Sequence, residues 1–189
     1  MSLTTTKQGL ILVDIQKDYF PGGSFELVGI EQASCNAQKL LKVFHDRPAA
    51  IFHIQHISLQ PGATFFLPDS EGSKIHESVL SQTDSITVLK HFPNSFRDTT
   101  LLSQLQAAGI EELVICGAMS HMCIDATTRA AFDLGFSCIV IEDACATRDL
   151  EYQNNLVKAA DVQTAFMASL AAVYAKVIST NEFLTQLQP

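Results

Sequence analysis

The strongest restriction on the fold is an alternation. Short, almost unbroken apolar runs recur between longer stretches whose apolar residues fall three and four apart. The short runs are 9–14 (GLILVD), 49–54 (AAIFHI), 86–89 (ITVL, followed by Lys90), 113–116 (LVIC), 138–141 (CIVI) and 173–178. They are too short for buried helices and lack the polar alternation of a half-exposed strand, so they read as strands buried on both faces. The stretches between them predict helices over 31–46, with Ala33, Ala37, Leu40, Leu41 and Phe44 on one face and Pro48 as the stop. Further helices are expected over 99–108, closed by Gly109, over 122–134, closed by Gly135, and over 151–170 and 181–187. Strands of this kind alternating with helices predict a three-layer α/β/α sandwich around a mainly parallel sheet, with right-handed crossovers.

No composition break, repeat or low-complexity linker divides the sequence, so residues 1–189 are expected to form one domain. A long irregular part, about 58–84, contains Gly, Pro and the pair Phe65–Phe66. It is too long for a plain connection and is expected to cover a binding site. The net charge of −8 argues against nucleic acid as a partner, because phosphate binding needs a basic surface. No stretch has the length and composition of a signal peptide or membrane span, so no membrane partner is expected. Five cysteines, an odd number without a CxxC pair, fit free thiols in a reducing cytoplasmic compartment.

In open parallel sheets, ligands bind beyond the carboxyl ends of the strands. Asp14 ends the first strand, Lys90 ends ITVL, and Cys123 follows LVIC after the loop GAMSHM, at the start of a helix. A thiol needs help to become a thiolate, and a helix N-terminus and an ammonium both favour the anion. A carboxylate can take the thiol proton and pass it to a leaving amine. Unpaired N–H groups before the helix can hold an oxyanion. Taken singly, each residue has a plainer role: a small buried thiol, a loop acid, a surface charge.

The segments LILVDIQKDYFPGGSF, LKHFPNSF and LVICGAMSHMCIDATTRAAFDLGF followed by VIEDACAT, in that order, resemble the isochorismatase-like, or cysteine hydrolase, superfamily. The resemblance runs from about Gly9 to about Phe183. It implies a six-stranded, mainly parallel sheet with helices on both sides. It also implies an Asp14, Lys90, Cys123 triad and a cis peptide joining Ala118 to Met119, with the Met119 and Cys123 amides facing the oxyanion. A small amide, carbamoyl or ureido substrate, no cofactor, and a homo-oligomer of two or more copies are implied as well.

Some residues depart from the family's branches. Metal-binding members carry an Asp-x-His motif after the second strand. Here FHIQHISLQPG offers only His53 and His56, whose three-residue spacing turns the rings to opposite faces. No metal is therefore expected: His53 belongs to the strand and His56 to the site or its rim. His121 invites a Cys–His dyad, but the family pattern gives the base role to Asp14. Gln16 and Asp18 are expected as supports, and Tyr19, His56, Phe65, Phe66 and Phe96 as candidate pocket residues. Cys116 and Cys138 read as core, and Arg129 as a salt-bridge partner. No GxGxxG, P-loop or GxSxG motif is present. Two rival readings remain: a catalytically silent, oligomeric binding protein, and a redox sensor built on an oxidisable thiol.

Overall fold

The structure is a computed structural model and describes residues 7–47, 49–80 and 85–187. Six strands form one parallel sheet: β1 (Gln8–Val13), β2 (Ala50–His56), β3 (Ile86–Lys90), β4 (Glu112–Ala118), β5 (Ser137–Ala146) and β8 (Lys176–Ile178). Their order is β3-β2-β1-β4-β5-β8, and every neighbouring pair runs parallel. The three-layer sandwich expected from the apolar runs is the observed architecture.

The period-2 geometry of each strand sends its residues into two separate cores. Leu10 and Leu12 of β1 pack with Leu40 and Phe44 of α1 (Ile30–His45) and Phe183 of α5 (Thr180–Gln186). Ile11 and Val13 face the opposite core, with Leu101 and Leu105 of α2 (Leu101–Ala107), Ala131 of α3 (Asp125–Asp133) and Leu170 of α4 (Ala159–Val173). Both faces of β1 are thus fully apolar, which explains its unbroken hydrophobic run.

Three sequence expectations are corrected. The helix expected over 151–170 begins only at Ala159. Ahead of it stands a two-stranded antiparallel hairpin, β6 (Leu150–Tyr152) and β7 (Asn155–Val157). Gln153 and Asn154 adopt φ of 50° and 61°, and two successive left-handed residues make a tight hairpin turn and interrupt any helix. Asp149 accepts a 2.8 Å hydrogen bond from the Ala159 amide and so fixes where α4 starts. The strand expected over 173–178 is confined to Lys176–Ile178, because Val173 still belongs to α4. The helix expected from Met122 starts as a wider turn, Ser120–Ile124, in which the Ile124 amide reaches back five residues to the Met119 carbonyl at 3.2 Å. Pro48, expected to close the first helix, and residues 81–84 of the long irregular part lie outside the described residues. Among those described, no helix is long and apolar enough to cross a membrane.

The topology positions the site. From β1 the chain winds outward through β2 to β3, then returns to β4 and winds the other way through β5 to β8. The direction reverses between β1 and β4, where such sheets leave a crevice at their carboxyl ends. Gly117 of β4 sits against β1 at this point with φ of +124°, and a Cβ there would lie 2.0 Å from the Val13 carbonyl oxygen. Only glycine fits this approach.

Candidate active site

Asp14 is the first residue past β1. Its amide still donates to the Ile54 carbonyl at 3.0 Å, while its backbone turns left-handed at φ 51°. Aspartate tolerates that conformation better than most side chains. Lys90 ends β3, two strands away, and pairs in register with His56 of β2. Its long side chain crosses the end of β2 to bring Nζ within 2.7 Å of Asp14 Oδ2. Cys123 arrives from the other side of the crevice on the wide turn after β4, with its Sγ 3.2 Å from Lys90 Nζ. The peptide bond Ala118–Met119, at the head of this turn, is cis.

An ammonium has three protons to donate. Lys90 has three acceptors: Asp14 Oδ2 at 2.7 Å, His56 Nδ1 at 3.0 Å and Cys123 Sγ at 3.2 Å. Lys90 and Asp14 are both fully buried. Ligand atoms of Asp14, His56 and Cys123 lie within 4.8 Å of one another, a spacing that would suit a metal ion. The lysine ammonium binds all three acceptors, so a metal would have to displace a cation already paired to a carboxylate. Besides that ion pair, the Cys123 thiol lies within reach of the Asp14 carboxylate.

Burial opposes any unpaired charge here. It pushes the Cys123 thiol up to about 12; the Asp14 charge adds to the rise and Lys90 opposes it. Burial and the Asp14 charge thus favour the thiol over the thiolate. Burial also works against the Lys90 ammonium, but the Asp14 carboxylate foremost, with the Cys123 sulfur, holds its pKa above the ordinary lysine value. Burial, with the Lys90 charge next, lowers His56 to about 4. Neutral His56 accepts from Lys90 through Nδ1, which places its own proton on Nε2.

Two residues expected as supports prove specific. Gln16 extends the β1–β2 ladder with its side chain: Oε1 accepts from the His56 amide at 2.7 Å, and Nε2 donates to the His56 carbonyl at 2.9 Å. Nε2 also donates to the Ser73 carbonyl at 2.7 Å, tying the long irregular segment to the sheet. Asp18 accepts from the amides of Phe66, at 2.6 Å, and Ser24, at 3.1 Å. Gly72 closes over it so tightly that any side chain there would collide with the carboxylate.

The sulfur opens on a cavity of about 360 Å³. Tyr19, His56, Phe65 and Phe66 line it as expected, together with Met119 and Met122. Phe96 does not: it stacks on Phe136 at 6.2 Å and packs into the core between the sheet and α2–α4. His53 is buried in β2, lowered to about 4 chiefly by burial, and its Nε2 has no partner among the described residues. His121 bonds Thr147 Oγ1 at 2.6 Å and meets the Phe166 ring edge-on. Arg129 pairs with Asp125 at 2.8 Å, and Cys116 and Cys138 are core residues. Another concavity, of about 390 Å³, lies between α1 and α4 and contains none of Asp14, Lys90 or Cys123.

Sequence reasoning did not find the contact of His56 with Lys90 or the bracket made by Gln16. The first rests on the β2–β3 register, which pairs His56 with Lys90 and which only the folded sheet sets.

The chain as a whole is similar to known proteins. The family model described as Isochorismatase domain matches residues 8–182. The isochorismatase family protein YddQ of Bacillus subtilis (strain 168) is 50% identical over 175 residues, covering 93% of this chain and 97% of that protein. A streptothricin hydrolase of Streptomyces noursei is 32% identical over 168 residues, covering 89% of this chain and 59% of that protein. A crystal structure of an isochorismatase hydrolase from Oleispira antarctica superposes with a TM-score of 0.92. It is 48% identical and covers 96% of this chain and 98% of its own.

Proposed function

This chain belongs to the isochorismatase family of hydrolases, and from that premise we propose that it cleaves a C–N bond of a small amide, carbamoyl or ureido substrate through a covalent intermediate on Cys123. The observation that carries the reading is the single ammonium shared by a carboxylate and a thiol in a buried corner that opens on a cavity. A buried ion pair is weak evidence for stability, since apolar residues of similar size hold a fold as well or better. Chemistry is the better reason for its presence.

Moving one proton from Cys123 to Asp14 converts thiol, carboxylate and ammonium into thiolate, carboxylic acid and ammonium. Both arrangements contain one anion beside one cation, so the transfer adds no net charge to the buried site. The high resting pKa of Cys123 is therefore no obstacle, because the thiolate forms only as Asp14 takes the proton. The sulfur attacks the carbonyl carbon, an S–C bond forms, and the π electrons move to oxygen. The Met119 and Cys123 amides are the proposed donors to that oxyanion. The C–N bond then breaks, the nitrogen takes the proton from Asp14, and the amine leaves. Water, deprotonated by Asp14, attacks the thioester and releases the acid, and the thiol is restored.

Intact-protein mass spectrometry during turnover is expected to find an acyl adduct on Cys123. Full turnover by Cys123→Ala on the same substrate would overturn the scheme. No resolving cysteine is identifiable for Cys123 in the sequence, which sets the redox-sensor reading behind this one.

A further inference from the structure

We propose that the cavity selects an uncharged, flat acyl group, aromatic or conjugated alkenyl, and rejects acyl groups that carry a carboxylate. This deepens the hydrolase reading and rests on it.

The charge inventory is the first observation. Among the described residues, no lining side chain of the cavity is Asp, Glu, Lys or Arg. The polar side chains besides the nucleophile and the Tyr19 hydroxyl are His56, Ser58 and Gln60, which can hydrogen-bond but not neutralise an ion. His56 is held neutral by burial and by the ammonium beside it. The nearest fixed cation, Lys90, is fully buried and its three protons already face Asp14, His56 and Cys123. A substrate carboxylate would thus enter a largely apolar site with no partner for its charge. The chain as a whole, at −8, adds no attraction for an anion.

Shape is the second observation. Tyr19, Phe65 and Phe66 form one aromatic wall, with centroids 5.9 Å apart for Tyr19–Phe65, 4.6 Å for Tyr19–Phe66 and 5.0 Å for Phe65–Phe66. Phe25 stacks behind Phe65 at 4.2 Å. The Phe66 amide is fixed by Asp18 at 2.6 Å, so the wall is held in place by a buried hydrogen bond. Such faces reward flat π-systems by offset or edge-on contact. The volume, about 360 Å³, suits a molecule of roughly one ring and a short arm.

The test compares kcat/KM for ammonia release from four primary amides: cinnamamide, crotonamide, the monoanion fumaramate and the monocation 4-aminocrotonamide. Cinnamamide is expected to exceed fumaramate by about 100-fold or more, with crotonamide between them and 4-aminocrotonamide below crotonamide. Should the amides react too slowly to rank, the rates at which Cys123 is acylated by p-nitrophenyl esters of the same acyl groups give the same comparison. Gln60→Arg, which sets a cation at the cavity, is expected to raise the fumaramate-to-crotonamide ratio at least tenfold. Fumaramate within tenfold of crotonamide, or the cation ahead of crotonamide, overturns the inference and leaves the covalent mechanism standing. Absence of any adduct on Cys123 with amides and esters alike overturns both.

Discussion

Cys123 and Cys145 lie near the carboxyl ends of adjacent strands, just past β4 and within β5, and burial pushes both thiols up to about 12. They differ in their neighbours. Cys123 has an ammonium at 3.2 Å and a carboxylate paired to that ammonium. Cys145 has a backbone bond to Gly117 and the repelling charges of Asp143 and Glu142, with no cation among the influences on it. Burial alone therefore makes an inert thiol. A proton acceptor that shares a counter-ion with the sulfur turns equal burial into an advantage, because the proton can move without creating a second unpaired charge.

The sharpest way to break this comparison is to remove each sulfur in turn. Cys123→Ala is expected to lower kcat/KM by about 10⁴-fold or more, and Cys145→Ala to change it by less than about threefold, in a steady-state assay of amine release. A smaller effect is expected from removing the shared cation. Lys90→Met should cost about 10²–10⁴-fold in kcat/KM and lower stability, since it leaves the Asp14 carboxylate buried without a partner. A denaturant midpoint measured beside the activity separates the two effects, and a variant with native stability and native rate would remove Lys90 from the mechanism.

Acid should act on the Cys123 corner through His56 and on the sheet through His53. Both are held neutral and lowered to about 4 in the folded chain, while an unfolded histidine takes its proton near 6.5. The unfolded state binds more protons between those values, so stability is fully present above about pH 6.5 and falls as the pH drops towards 4. The loss should reach on the order of 3 kcal/mol for each histidine, read from urea unfolding as a function of pH. Activity in the folded enzyme should fall further as the pH passes through about 4, where protonated His56 would repel Lys90. The smallest expected difference is in alkylation. Cys123 and Cys145 each line a cavity, but Asp14 can take the Cys123 proton, so iodoacetamide should label Cys123 about tenfold faster than Cys145, as read by peptide mass spectrometry. Equal rates would mean that the carboxylate does not assist the sulfur.

The contrast also shows which features were legible before any coordinates. Cys123 stood out only because Asp14 and Lys90 were also at predicted strand ends and the surrounding segments resembled a known family; its own residue type said nothing, as Cys145 shows. The hairpin at Leu150–Val157 was missed because its side chains are exposed and it carries no buried alternation, and two left-handed residues outweighed a helix-like composition. Phe96 was misplaced because an aromatic residue near a site motif gives no sign of which core it faces.

Apolar runs by themselves determined the layers and the parallel sheet, because the central strands β1 and β4 are buried on both faces, while the edge strands β3 and β8 are partly exposed and the bounds of β8 were less legible. Which strand ends meet was decided by the tertiary structure alone. The reversal of strand order between β1 and β4, the close approach at Gly117, and the reach of Lys90 past His56 to Asp14 are contacts between residues far apart in the chain. Side-chain charge states follow from the same packing, since desolvation and pairing depend on neighbours that only the folded chain brings together.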